Sequence, residues 1–200
     1  MKRNYHSNMS FLDLLFNTLL CFAALFVLSF VLINPSKDEK NVEAKAEYII
    51  TVTWDKDLDT DVDTYVEDPA GNLVAFMRRE EGLMHLERDD LGKRNDTIQT
   101  ELGPVEYNEN REIVVLRGII QGEYVVNVHL FKAHTDVIST PIVVQLDRIN
   151  PSVSTKAIKR ITLTHEGHEI TAFRFILDAD GEIEEINTLP KKLVKSGVPL

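Results

Sequence analysis

Tyr48-Ile49-Ile50-Thr51-Val52-Thr53-Trp54 is rich in β-branched and aromatic residues and alternates in hydropathy, the pattern of a half-buried strand. Apolar stretches of the same kind recur downstream at Val62–Val66, Leu73–Phe76, Ile113–Leu116, Tyr124–Phe131, Ile142–Leu146, Ile158–Leu163, Ile170–Leu177 and Ile183–Ile186. Turn formers separate them: Asp68-Pro69-Ala70-Gly71, Gln121-Gly122, Asn150-Pro151-Ser152, Glu166-Gly167 and Asp178-Ala179-Asp180-Gly181. No segment among them carries a helical period. Short strands at this spacing predict one antiparallel β-sandwich of about 140 residues, over 46–187.

Between Arg78 and Asn110 the alternation fails. The stretch is charged and carries Gly82, Gly92 and Gly103-Pro104, which predicts a long irregular loop of the kind that serves function. The tail over 188–200, with Lys191, Lys192 and Lys195, reads as loosely ordered or as a docking segment.

Upstream, Phe11 to Ile33 holds a single charged residue. At ~1.5 Å of rise per residue it is long enough to cross a ~30 Å hydrocarbon layer. A transmembrane helix over 11–34 is therefore expected, stopping at Asn34-Pro35 because proline disfavours helical geometry in the residue before it. A cleavable signal peptide is the rival reading, but its apolar core would be ~7–15 residues long and would end in small residues. Leu32-Ile33-Asn34-Pro35-Ser36 offers no such exit. Lys2 and Arg3 in the short tail over 1–10 favour a cytoplasmic N-terminus, with the bulk of the chain on the other side of the membrane. The polar stretch over 35–45 reads as a linker. Cys21, the one cysteine, lies in the apolar run, so the β domain holds no disulfide. A net charge of −10 argues against nucleic acid as a partner and suits a domain that binds cations.

Asp13 interrupts the apolar run. One reading makes Ser10 the N-cap and Asp13 the partner in an S-x-x-D capping box, favoured by the helix dipole. The other makes Asp13 functional, the default for an ionisable group inside a membrane. On a wheel of about 100° per residue with Asp13 at zero, Asn17 falls near 40°, Cys21 near 80° and Ala24 near 20°, while Phe11, Phe22, Phe26 and Phe30 fall at about 160–260°. Small and polar residues on one stripe mark a face that packs on protein. Capping alone leaves Asn17, a turn further in, without a reason.

F-L-D-L-L-F-N-T-L-L-C-F, after a short basic tail and before a separate domain, resembles the start of ion-driven stator and transport subunits of the MotB, ExbD and TolR type. The resemblance implies that Asp13 binds a proton or Na+, with Asn17 and Thr18 as polar neighbours. It also implies a multi-pass partner of the MotA, ExbB or TolQ type, a pentamer arranged around a homodimer of this chain. Low dielectric disfavours a charged carboxyl group, which is what lets such a residue take up and release a proton as access alternates.

After the first strand, Asp55, Asp57, Asp59, Asp61 and Asp63 occupy every second position. Like charges along one strand face repel, so the first part is expected to be a loop with the strand resuming at Val62. A solvated acidic turn and a hard cation such as Ca2+ both account for the cluster. Trp54-Asp55, then D-T-D-V-D-T-Y-V-E-D-P-A-G-N from Asp59, resembles the W-D…D-x-D-L-x-V-x-D-P-x-G pattern of YfaP-like extracytoplasmic β-sandwich domains, with an echo of TerD-type calcium-binding domains. The likeness continues through Gly82-Leu83, Arg88-Asp89 and Gly103-Pro104-Val105-Glu106 to Gly122-Glu123-Tyr124-Val125-Val126-Asn127-Val128. Val105 stands as an insertion in the family's Gly-Pro-Glu. The resemblance implies that Asp61, Asp63, Asp89, Asp90 and Glu106 converge on Ca2+.

Two smaller features read as turns. Asp178-Ala179-Asp180-Gly181 lacks the glutamate a calcium loop needs at its end, and His165 and His168 flank Glu166-Gly167 with no third ligand in view. No nucleophile elbow, phosphate loop or serine–histidine–acid set is present, so an enzyme is not expected. The reading favoured overall is a motor or transport subunit whose β-sandwich transmits force or binds a target. The alternative is a membrane-anchored, calcium-dependent binding module with no ion-conducting role.

Overall fold

The computed structural model describes residues 9–33, 45–94, 96–135 and 138–194. The chain divides between Glu43 and Ala44 into two compact units. The first is α1 (Met9–Ile33), a single apolar helix. Its segment Met9–Phe30 has a mean hydropathy of 2.2 and is long and apolar enough to cross a membrane. The helix already contains Met9, so Ser10 lies inside its first turn and does not cap it. The expected stop at Asn34-Pro35, the basic tail residues Lys2 and Arg3, and the linker up to Ala44 fall outside the described residues.

The second unit is built from antiparallel strands. They are β1 (Tyr48–Trp54), β2 (Thr60–Glu67), β3 (Leu73–Val74), β4 (Glu80–Glu81), β5 (Met84–Arg88), β6 (Thr97–Thr100), β7 (Gly103–Glu106), β8 (Arg111–Leu116), β9 (Gly122–Ala133), β10 (Thr140–Arg148), β11 (Ser154–Leu163), β12 (Glu169–Leu177) and β13 (Ile183–Asn187). One sheet runs β11-β10-β1-β8-β5-β4 and the other β13-β12-β9-β2-β3, with β6 and β7 as a separate hairpin. The molecule is thus mainly β with one N-terminal apolar helix, as the alternation predicts.

The core follows from strand periodicity. In β1, Tyr48, Ile50, Val52 and Trp54 are buried and the residues between them half-buried. They join Val114 and Leu116 of β8, Ile142, Val144 and Leu146 of β10, and Val126, Val128, Leu130, Phe173 and Phe175 from the opposite sheet in one cluster. Tyr124 and Phe175 stack with ring centroids 5.1 Å apart. Two buried tyrosines satisfy their hydroxyls locally: Tyr48 donates to the carbonyl of Gly181, and Tyr124 accepts from the amide of Ile120. In β12, a register shift between Thr171 and Phe173 marks a bulge at Ala172.

Three expectations need correction. The stretch from Arg78 to Asn110 is not a structureless loop. Met84 and Leu86 are buried and β5 pairs with β8 inside the first sheet. The second strand begins at Thr60, before Val62, so Asp61 belongs to the ladder and pairs with Lys132. The domain does not end at residue 187. Lys191–Val194 lies along the outer face of the second sheet, where Leu193 is buried in a satellite cluster with Tyr65, Ala75 and Val125. Its anchors are Thr171 Oγ1, which donates to the Lys191 carbonyl and accepts from the Lys191 amide, and Glu169 Oε1, which accepts from the amides of Leu193 and Val194 at 2.7 and 3.1 Å. Residues 195–200 lie outside the described residues.

Candidate functional site

The acidic series after β1 breaks into parts with different fates. Asp55 and Asp57 stay exposed in the turn, where Asp55 Oδ1 accepts the Asp57 amide. Asp59 Oδ1 accepts the amide of Lys93, tying the series to the 3-10 turn at Gly92–Arg94. Gly92 has a φ of +69°, and a Cβ there would come within 2.9 Å of Asp59 Oδ1, so this close approach requires glycine. Asp61 and Asp63 are buried on β2, at 8% and 3% exposure.

β3 pairs only with Val66 and Glu67. Among the described residues no strand pairs with the first half of β2 on that side, and the 3-10 turn packs there instead, with Gly92 beside the Thr60 backbone. There the two sheets bring three carboxylates together: Asp63 from β2, Asp89 just after β5, and Glu112 from β8, with one oxygen of each lying within 4.8 Å of the others. Glu112 is 1% exposed. Neither of its oxygens receives a hydrogen bond of ordinary geometry, nor does Asp61 Oδ1.

Burial pushes the Asp61 carboxyl up to about 7, with Asp63, Asp89 and Asp90 adding to the rise and Arg94 opposing it. Burial likewise raises Asp63, partly offset by His129, whose Nδ1 lies 3.4 Å from Asp63 Oδ2. Glu112 is pushed well above the usual carboxylate range by burial and by Asp63, against the weaker pull of the Thr64 hydroxyl and amide. Desolvation and like charge act in the same direction at this one edge.

Asp90, one residue from Asp89, has a different role. It accepts Arg88 Nη2 at 2.8 Å and Nε at 3.2 Å, the amide of Gly92 at 3.0 Å and that of Arg111 at 3.2 Å. Arg88 also lies over the Tyr107 ring and donates to the Glu109 carbonyl. With its oxygens filled this way, Asp90 holds the loop shut. Glu106 is exposed on the β6–β7 hairpin and is not part of the cluster. Of the five carboxylates expected to converge, the structure joins Asp63 and Asp89, sets Asp61 electrostatically beside them, and leaves Asp90 and Glu106 out.

Glu112 is the residue sequence reasoning missed. Arg111-Glu112-Ile113-Val114-Val115-Leu116 alternates, and Glu112 stands in phase with Val114 and Leu116, both core residues. A carboxylate at a core-facing position is the signal that was available.

On α1, Asn17 Nδ2 donates to Asp13 Oδ1 at 3.5 Å. Thr18 Oγ1 instead donates to the Leu14 carbonyl of its own helix at 2.8 Å. Asp13 and Asn17 thus form a pair, and Thr18 does not join it. The two turns expected from sequence form as such. Asp178 Oδ1 accepts the amides of Asp180 and Glu182, and His165 and His168 stack at 4.5 Å beside Thr164. No family model, curated protein or solved structure matches this chain.

Proposed function

We propose that this chain is the single-span subunit of an ion-driven membrane motor or transport complex. Asp13 is its ion-binding residue, and the β-sandwich transmits force or engages a target outside the membrane. The observation that carries the reading is the Asp13–Asn17 pair, a carboxylate and an amide one turn apart in a helix otherwise apolar enough to span a bilayer. An anchor in lipid gains nothing from such a pair, whereas a helix against protein uses polar groups at its contact. The proposal places the N-terminus in the cytoplasm, the β-sandwich in the periplasm, and a multi-pass MotA-, ExbB- or TolQ-like pentamer around two copies of this chain. The carried ion is H+ or Na+, and the chain itself is not an enzyme.

The test is purification of the full chain from membranes together with any multi-pass protein that accompanies it. Subunits are counted by native mass spectrometry, and ion flux is read in proteoliposomes with a pH- or sodium-sensitive dye. Asp13→Asn is expected to keep the assembly and abolish flux. Flux unchanged in Asp13→Asn, or a chain that assembles with no multi-pass protein, refutes the proposal. A second reading, an anchored binding module, draws on a groove of about 750 Å3 on the outer face of the second sheet, lined by Tyr65, Leu73, Met77, Arg78, Phe131 and Leu193. In that reading Asp13→Asn is silent.

A further inference from the structure

The first half of β2 gathers buried negative charge. Asp63, Asp89 and Glu112 approach one another from three strands or strand ends. Glu112 is enclosed with both oxygens lacking an ordinary hydrogen bond, and Asp61 adds a buried oxygen in the same condition. Among the described residues no lysine or arginine pairs with Asp61, Asp63 or Glu112. The nearby arginines are engaged elsewhere: Arg88 with Asp90, Arg111 with Glu109 and Tyr107, and Arg94 with His134. Asp63 has a basic contact in His129. Removing carboxylates from water costs several kcal/mol each unless a counter-charge offsets it.

We infer that this edge of the β-sandwich is a Ca2+ site, with Asp63, Asp89 and Glu112 as ligands and Asp61 as a fourth carboxylate at its margin. The donors are all carboxylate oxygens, the choice of hard cations. Oxygens lying within 4.8 Å of one another can share one ion. Ca2+ accepts a cage of several protein carboxylates in flexible geometry, whereas Mg2+ keeps most of its waters and is held by one or two. The donor set differs from the one the family resemblance implies, since Glu112 takes the place given to Glu106 and Asp90 is withdrawn by Arg88. The inference goes beyond the motor proposal and does not depend on Asp13.

The test uses the full chain in detergent, stripped with a chelator and titrated with CaCl2 or MgCl2 by calorimetry, with melting temperature followed in parallel. Trp54 provides a second readout. It is the only tryptophan, and its indole donates to the carbonyl of Thr60, the residue before Asp61, so bound Tb3+ should luminesce on tryptophan excitation and be displaced by Ca2+. Expected are one Ca2+ per chain, a higher melting temperature with Ca2+ than with Mg2+, and affinity weakened about tenfold or more in Glu112→Gln. Glu106→Gln is expected to bind like the wild type. Should Glu112→Gln fail to fold, Asp61→Asn must weaken binding and displaceable Tb3+ emission from the wild type must appear. The inference is overturned by the absence of heat, melting shift and displaceable emission at millimolar Ca2+. Binding unaltered in both Glu112→Gln and Asp61→Asn overturns it as well.

Discussion

In chelator, the β domain should lose stability as pH rises from about 4 to about 7, the reverse of ordinary acid denaturation. The Asp61 carboxyl sits at about 7 in the folded chain against 3.8 for an unburied aspartate. Between those values the folded state holds a proton that the unfolded state has released, so unfolding releases protons and stability falls with rising pH. At ~1.4 kcal/mol for each tenfold change in proton affinity, Asp61 alone sets a ceiling of about 4 kcal/mol. Glu112 and Asp63, also raised by burial, act with the same sign. Opposing them, Glu87 is lowered, its burial outweighed by Arg117 and His85, and Glu166 is lowered by the Ala133 amide and Lys132, but both are exposed and contribute little. His168, lowered from 6.5 mainly by burial, adds a small rise in stability as pH climbs through the sixes. The assay is urea unfolding of the full chain followed by Trp54 fluorescence at half-unit steps of pH, with and without Ca2+. Asp61→Asn should flatten the slope and stabilise the chelated protein above pH 7, where the wild type would carry the buried charge. Stability that is level or rising across this window in chelator, or a slope unchanged by Asp61→Asn, would refute the electrostatic account of the edge.

Replacing Arg88 by methionine leaves Asp90 buried without its guanidinium and should cost ~3–5 kcal/mol; adding Asp90→Asn should recover part of that loss in urea titrations. Glu169→Ala removes the acceptor for the Leu193 and Val194 amides. With charged hydrogen bonds contributing ~1.5–3 kcal/mol each, it should destabilise by ~2–4 kcal/mol and open Lys191–Val194 to protease, and a wild-type cleavage pattern would count against the strap. Phe175→Ala deletes the ring stacked on Tyr124 at the centre of the core, for which a loss of ~3–5 kcal/mol is expected in thermal unfolding.

Most of the architecture was legible because two periods dominate the chain. A long apolar run can only be a span or a core helix, the alternation in Tyr48–Trp54 marks a half-buried strand, and the β-branched run in Gly122–Phe131 marks a strand buried from Tyr124 to Leu130. The strand at Met84–Arg88 escaped notice because Arg78, Arg79, Glu80 and Glu81 before it, and Glu87 and Arg88 within it, hide two buried residues, Met84 and Leu86, behind charge. The strap at Lys191–Val194 was illegible for another reason. It has no secondary structure, and its order comes from Thr171, Asn127 and Glu169, residues far away in sequence. The acidic site was half legible. Spacing brought out Asp61 and Asp63 and likeness brought out Asp89, but only strand phase could select Glu112 over Glu106, and phase becomes visible once β8 is known to hold Val114 and Leu116 in the core.

The two carboxylate systems of this chain differ in what surrounds them, and the difference separates their chemistry. Asp13 has one described neutral partner, Asn17, which can stay bonded to either protonation state because an amide both donates and accepts. A residue held this way can change charge without losing its neighbour, which is what cyclic ion binding demands. Glu112 is surrounded by Asp63 and Asp89 and walled off from water, so a change in its charge is opposed unless a cation arrives or leaves with it. That arrangement suits a resident ion that sets stability and shape, and it is ill suited to turnover. Asp13→Asn should therefore leave Ca2+ affinity untouched, and Glu112→Gln should leave any ion flux through the membrane complex intact in saturating Ca2+. If either substitution moved the other readout, the two sites would be coupled and the division of labour argued from their surroundings would fail.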